Sequence, residues 1–227
     1  MSRKPFSIAI DGPAGAGKSS VAKAVAAELN AMYLDTGAMY RAFGLYMLRR
    51  GAANDPAAVA ACVNDVDITV EFVDGAQHIF LGGEDVTQAI REPEVSMAAS
   101  DVSAVPEVRA RMVALQQKIA EGHSVIMDGR DIGTVVLPNA TLKIFLTASA
   151  EERARRRCLE LEEKGKPVPY EQVLQEMKER DYQDTHRAAS PLRAAEDARH
   201  VDTSDLTLEQ SVDLMRDMAL EAIGGKR

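Results

Sequence analysis

Cysteine is nearly missing from this sequence of 227 residues: only Cys62 and Cys158 occur, and they form no C-x-x-C pair. That excludes a disulfide scaffold and a cysteine zinc site, and it suits a reducing compartment, the cytoplasm. Long apolar runs are missing too, none approaching the roughly 18 residues of a membrane span. The polar opening Met1-Ser2-Arg3-Lys4-Pro5 leads toward a strand rather than a signal-peptide core, so a soluble, unexported protein with no membrane partner is expected. There is no excess of positive charge. Lys and Arg number 27 against 35 Asp and Glu, a formal net charge of −8 with a pI near 5.1, which argues against a nucleic-acid partner. The basic residues present should gather in one cleft. Repeats and low-complexity tracts are absent. So is the Asn-Lys-x-Asp base-reading motif of a GTPase switch, since none of Asn30, Asn54, Asn64 and Asn139 is followed by Lys.

What the sequence does have is 46% hydrophobic content, ample for a packed core in one domain or in a core carrying a modest insertion. Short apolar segments alternate with long helical patterns: Ile8-Ala9-Ile10, Met32-Tyr33-Leu34, Val125-Ile126-Met127, Leu142 to Leu146, and His200-Val201. This rhythm predicts an α/β fold, a parallel sheet with helices on both faces. Val108, Met112, Leu115 and Ile119 repeat at one-face spacing after Pro106. Near the end, Thr207 and Gln210 form a capping box ahead of an apolar stripe of Leu208, Val212, Met215, Ala219 and Ile223. One stretch breaks the alternation. Ile68 to Val73, the turn Asp74-Gly75, and His78 to Leu81 before Gly82-Gly83 read as antiparallel strands. The expected division is a core of 1–62 and 104–227 around an inserted subdomain of 63–103. The charge-dense segment from Glu151 to Lys166 reads either as a solvated, ion-paired helix or as a mobile arginine-bearing lid.

The run Gly12-Pro13-Ala14-Gly15-Ala16-Gly17-Lys18-Ser19, entered from an apolar strand and continued by Ser20 into a helical pattern, matches the phosphate-cradling loop G-x-x-x-x-G-K-[ST]. Its glycines let successive backbone N–H groups face one anion at a helix N-terminus. Lys18 supplies a mobile charge for the terminal phosphates of a nucleoside triphosphate, and the Ser19 hydroxyl is placed to ligate Mg²⁺. Asp35-Thr36-Gly37-Ala38-Met39-Tyr40-Arg41 lies just past the second strand, at the sheet edge where open α/β folds bind ligands. Arg41 should share a cleft with Lys18, and Asp35 or Thr36 should cap the following helix. Asp128-Gly129-Arg130-Asp131-Ile132-Gly133 follows the third strand; an acid there could position Mg²⁺, and the bland alternative is a turn with a local Arg–Asp pair. Arg180, Asp184 and Arg187 share one helical face, a spacing most often seen in exposed ion-paired stripes.

These segments together resemble the bacterial cytidylate kinase family, P-loop nucleoside monophosphate kinases, from end to end. Glu94-Val95-Ser96, Ala98-Ala99-Ser100, Pro106 to Arg109, Glu179-Arg180-Asp181, Ser190-Pro191-Leu192 and Asp202-Thr203-Ser204 extend the likeness. Thr36 stands where the family often has Ser, and Ser20 where Thr is common; both keep a hydroxyl. The resemblance implies transfer of the γ-phosphoryl group of ATP to CMP or dCMP, in pyrimidine nucleotide metabolism; beside it, Ser19 and Asp128 are the expected Mg²⁺ residues. It implies that Ser100, Arg109 and Asp131 read the base, that Arg41 and Arg130 hold the acceptor phosphate, and that Arg180, Asp184 and Arg187 serve the sugar side, with Thr36 in the same site. Arg153 and Arg157 are then lid candidates for catalysis, and the antiparallel insertion is the monophosphate-binding subdomain; a monomer is expected. An ionised acceptor phosphate needs no general base. Two rivals stand beside this reading: a kinase with a hydroxyl acceptor, which would want such a base, and a module that binds ATP without transferring phosphate.

Overall fold

The structure, a computed structural model, describes residues 5–73 and 75–224. Residues 1–4, and with them most of the polar opening, and Asp74 of the predicted turn lie outside the described residues. In chain order the elements are β1 (Ser7–Asp11), α1 (Lys18–Leu29), β2 (Met32–Asp35), α2 (Thr36–Arg49), α3 (Pro56–Ala61), β3 (Ile68–Val73), β4 (Ala76–Leu81) and β5 (Glu84–Asp85). They continue with α4 (Pro93–Ser103), α5 (Pro106–Ala120), β6 (Val125–Gly129), β7 (Leu142–Thr147), α6 (Ala150–Glu163), α7 (Tyr170–His186), β8 (Arg199–Asp202) and α8 (Leu208–Ala222).

The larger sheet has the order β2-β6-β1-β7-β8 and every pairing in it is parallel. Helices cover both faces, so its strands are apolar at consecutive positions rather than at alternate ones. In β1, Ala9 packs with Leu34 and Met127 on the face covered by α2 and α5, while Ile8 and Ile10 pack with Val25 and Met215 on the face of α1 and α8. Each isoleucine buried in this way stabilises the fold by about 2 kcal/mol. The parallel alignment brings the carboxyl ends of three strands to one line: Asp35 pairs with Asp128, and Asp11 with Gly129.

The antiparallel sheet has three strands rather than the two read from sequence, because Gly82 and Gly83, both at positive φ, turn the chain back into β5. Its inner side chains Ile68, Ile79 and Leu81 join the core that holds Met39, Phe43 and Met127. The Thr207–Gln210 capping box starts α8, yet Leu208 is exposed although the apolar stripe includes it. A side chain in the first turn leans back past the helix end, beyond the surface that Val212 and Met215 cover. Residues Ile132–Val136, which carry no strand or helix assignment from the sequence pattern, form one turn of π-helix.

Helices α2 and α4 meet backbone to backbone. A Cβ on Gly44 would lie 2.9 Å from Ala99 N and 3.1 Å from Ala98 C. Gly44→Ala therefore gains about 1 kcal/mol of helix propensity and loses more to the forced separation of two backbones. The expected net result is a destabilisation of about 1–2 kcal/mol, read from the urea midpoint; a variant more stable than the wild type overturns this account of the crossing.

Candidate active site

The phosphate loop joins β1 to α1. Gly12 and Gly17 hold positive φ, and a Cβ on Gly12 would lie 1.9 Å from the Leu146 carbonyl oxygen, so the loop can leave the sheet here only with glycine. Gly17 caps α1 in a left-handed conformation, with no side-chain cap and no acid in the first turn. The helix thus presents bare N–H groups to whatever sits in the loop. Lys18 Nζ donates to the Pro13 carbonyl at 2.7 Å. Burial, and then the nearby Arg130, hold the Lys18 ammonium well below the usual lysine range.

A cleft of about 240 Å³ opens over this loop at the carboxyl edge of the sheet. Ala14, Gly15, Lys18 and Ser19 line it, as do Thr36, Arg41, Ser100, Arg109, Asp128, Arg130, Asp131, Arg180, Asp184 and Arg187. Gly12, Pro13 and Ala16 are buried, Gly17 is half-buried, and Ser20 is exposed outside the cleft. Asp35 is the residue that caps α2: its Oδ1 accepts from Ala38 N at 3.0 Å, while Oδ2 takes Arg41 Nη2 at 2.6 Å. The Thr36 hydroxyl is buried and donates to the Asp128 carbonyl at 2.8 Å. Asp128 Oδ2 accepts from the Ser19 hydroxyl and Oδ1 from the Tyr33 hydroxyl, both at 2.8 Å. Burial, and then Asp35, push the Asp128 carboxyl up from its ordinary value.

Arg130 makes no local pair with Asp128 or Asp131. Its Nε donates to Asp184 Oδ2 at 2.6 Å, across 54 residues of sequence. Asp131 pairs instead with Arg109, whose guanidinium lies 5.5 Å from the Tyr40 ring centroid. The α7 face carrying Arg180 and Asp184, with Arg187 at its C-cap, turns into the cleft rather than into solvent. Burial would raise the Asp184 carboxyl, and Arg130 beside it more than reverses that, leaving it below the usual range. Burial, and then Arg130, push Arg180 down to about 10. Arg180 Nε and Arg187 Nη2 are buried without a hydrogen-bond partner among the described residues. Six cations and four carboxylates therefore line one cleft of a chain whose net charge is −8. Such a site is built for a polyanion.

The two lid candidates do not reach this cleft. Arg153 is buried, bonded to the Ala14 and Ala148 carbonyls and bidentate to Asp181. Arg157 pairs with Glu160 and lines an adjoining hollow of about 690 Å³ between α4 and α7. Arg156, which sequence reasoning passed over, lies 3.9 Å from the Cβ position of Gly17 and donates to the Thr203 carbonyl at 2.6 Å.

The family model for cytidylate kinase matches residues 8–220. The chain belongs to the cytidylate kinase family. A cytidylate kinase of Caldicellulosiruptor bescii is 56% identical over 208 residues, covering 91% of this chain and 92% of that one. One from Caldicellulosiruptor saccharolyticus is 51% identical, covering 98% and 99%. One from Streptococcus sanguinis is 48% identical, covering 97% and 99%.

Two further residues organise the site of this family member, and sequence reasoning gave them no role. Tyr33 is two positions before Asp35, on the same side of β2, a spacing that could have flagged it. Asp11 ends β1 directly before the loop, and its two carboxylate oxygens accept from Ile132 N and Gly133 N, both at 2.7 Å. It ties the phosphate loop to the segment carrying Arg130 and Asp131. Burial raises the Asp11 carboxyl to about 6, despite those two backbone donors. In the unfolded chain the group returns to its ordinary value near 3.8. The native state therefore holds a proton in the window between about 4 and 6 that the unfolded state has released, and Asp11's contribution to stability is lost as pH rises through about 6. Asp11→Asn removes this linkage. Its urea stability relative to wild type should improve by on the order of 3 kcal/mol from pH 4 to pH 7, on top of a constant loss from one mismatched donor. A difference that does not change with pH contradicts the raised carboxyl.

Proposed function

We propose that this chain transfers the γ-phosphoryl group of ATP to CMP or dCMP, giving ADP and CDP or dCDP, in pyrimidine nucleotide metabolism. The observation that carries the reading is the single cationic cleft that runs from Lys18 in the phosphate loop past Arg41 and Arg130 to Arg187, with the Arg109–Asp131 pair at its side. Two phosphate groups must meet in it. At about 4 Å each unit-charge pair repels by about 4 kcal/mol at an effective dielectric of 20. Lys18 would hold the donor's terminal phosphates, Arg41 and Arg130 the acceptor phosphate, and Arg180, Asp184 and Arg187 the sugar side. Positioning and field then lower the barrier. The acceptor oxygen is already ionised, so no side chain has to take its proton.

Cytosine presents an exocyclic amino donor beside ring acceptors, which Asp131 as acceptor and Arg109 as donor complement, with Ser100 nearby. Uracil reverses that edge. Magnesium suits the two hard oxygens of Ser19 Oγ and Asp128 Oδ2, 2.8 Å apart, because such an ion takes one or two protein oxygens and completes its shell with phosphates and water. Ser19 and Asp128 would hold it, with Tyr33 steadying the carboxylate. Bound there, it would draw charge from the phosphate oxygens. Arg153 would serve as an anchor that ties α6 and α7 to the loop, while Arg157 would act only after a movement toward the cleft. The free thiols suit the cytoplasm. Among the described residues no helix is long and apolar enough to cross a membrane.

A coupled ADP-release assay with CMP, dCMP, UMP, AMP and GMP tests the proposal. CMP and dCMP should lead, and UMP or AMP outrunning them overturns the assignment of the base-reading pair. ATP binding with no transfer to any acceptor would favour a binding module. Lys18→Ala should cut turnover by about 10²–10³-fold with an unchanged circular dichroism spectrum, as for loss of a principal charge-stabilising donor. Near-normal turnover would remove the loop from catalysis.

A further inference from the structure

Among the described residues β2 is an edge strand of the parallel sheet and pairs only with β6. An edge strand leaves backbone donors and acceptors that need partners elsewhere. At Asp35, the last residue of β2, both groups are taken by one side chain from the antiparallel sheet. Gln77 of β4 accepts from Asp35 N at 2.7 Å through Oε1 and donates to Asp35 O at 3.2 Å through Nε2. A carboxamide has one acceptor and one donor side by side, as a peptide group does, so Gln77 acts as a one-residue strand added to the sheet. Asparagine is one methylene too short to reach, and glutamate keeps only the acceptor.

What Asp35 holds gives this contact its consequence. Its Oδ1 caps α2, and its Oδ2 carries Arg41 at 2.6 Å, over the cleft. There is little slack in that arrangement. A Cβ on Gly37 would lie 3.1 Å from Arg41 Nη1 and 3.2 Å from Asp35 Oδ1. The peptide groups of Asp35 therefore fix its carboxylate, and the carboxylate fixes the guanidinium.

We propose that Gln77 is a positioning residue for the acceptor phosphate: through the Asp35 backbone it sets where Arg41 stands. It touches neither nucleotide in this scheme, and the inference rests on the reading of Arg41 given under the proposed function. The antiparallel sheet then helps to shape the phosphate end of the acceptor site from a position outside the cleft.

The test is steady-state kinetics of the full chain with CMP and ATP varied separately, for wild type, Gln77→Ala and Gln77→Glu, together with Arg41→Ala and the double variant Gln77→Ala/Arg41→Ala. Gln77→Ala should raise KM for CMP about tenfold, with KM for ATP within twofold of wild type, as expected for loss of a hydrogen-bonded pair that acts on one substrate. Gln77→Glu still accepts from Asp35 N but sets a carboxylate oxygen against the Asp35 carbonyl, so it should raise KM for CMP at least as much, and it serves as the test if the alanine chain does not fold. In the Arg41→Ala background, removing Gln77 should cost less than twofold more, because two residues acting through one contact are not additive. Equal rises in both KM values, or an unchanged KM for CMP in a folded variant, overturn the inference. So does full additivity with Arg41→Ala. A wild-type chain that phosphorylates AMP or UMP and not CMP overturns the proposed substrate instead. The same Gln77 comparison with the accepted monophosphate then decides the positioning role separately.

Discussion

The arrangement depends on one constraint: β2, β6 and β1 run parallel and in register, so that Asp35, Asp128 and Asp11 finish at one edge. Parallel strands must return by crossovers, and those crossovers place the starts of α1 and α2 at that same edge. The result is an edge where three carboxylates and two helix N-termini lie close together. None of the three acids is free. Asp11 is spent on two backbone N–H groups, Asp35 on a cap and an arginine, and Asp128 on two hydroxyls. Their common task is to fix the segments that carry the cations.

Charge in the cleft is arranged against local stability. Arg180 and Arg187 are drawn down by burial and by like-charged neighbours, and each keeps a buried nitrogen without a partner among the described residues. A buried donor left unpaired costs about 1–3 kcal/mol. Tighter internal pairing would relieve that cost and would also fill the site. The single carboxylate of Asp184, shared by Arg130 and Arg187, keeps the cluster from flying apart while leaving net positive charge for an incoming phosphate or sugar group. A polyanion in the cleft would supply the missing partners.

Much of this was legible from the residues. The alternation of short apolar runs with helical patterns named the parallel strands, and the loop motif with its flanking strand and helix marked the junction of β1 and α1. Period and spacing reach their limit where partners are distant. The Arg180–Asp184–Arg187 face reads as solvent-exposed because nothing in α7 says that Arg130, 54 residues away from Asp184, will meet it. The first two amides of the π-turn at Ile132–Val136 are bound by the Asp11 carboxylate, again from a remote strand. Arg153 carries the sequence features of a lid arginine, yet the carbonyls and the carboxylate around it claim its guanidinium. Leu208 fits the stripe by period and fails by position, since a period says nothing about where the opposing surface ends.

The distribution of apolar contact separates what can move from what cannot. The antiparallel sheet is no independent body: Ile79 and Leu81 share a core with Phe43 of α2 and Met127 of β6, so shifting that sheet alone would open a tightly packed interior. The α6–α7 hairpin differs. Its apolar cluster centres on Ala154, Val173 and Met177 and is separate from both larger cores. Polar links tie the hairpin to the rest: Arg153 to the Ala14 carbonyl, Arg156 to the Thr203 carbonyl, and Asp184 to Arg130. Hydrogen bonds to charged groups contribute about 1.5–3 kcal/mol each, and a phosphate or water can take over either partner. A segment held mainly by exchangeable contacts lies at the low-stability end of a fold. The links that hold α6 and α7 to the phosphate loop are therefore of the exchangeable kind, whereas the elements of the two large cores are held by apolar packing.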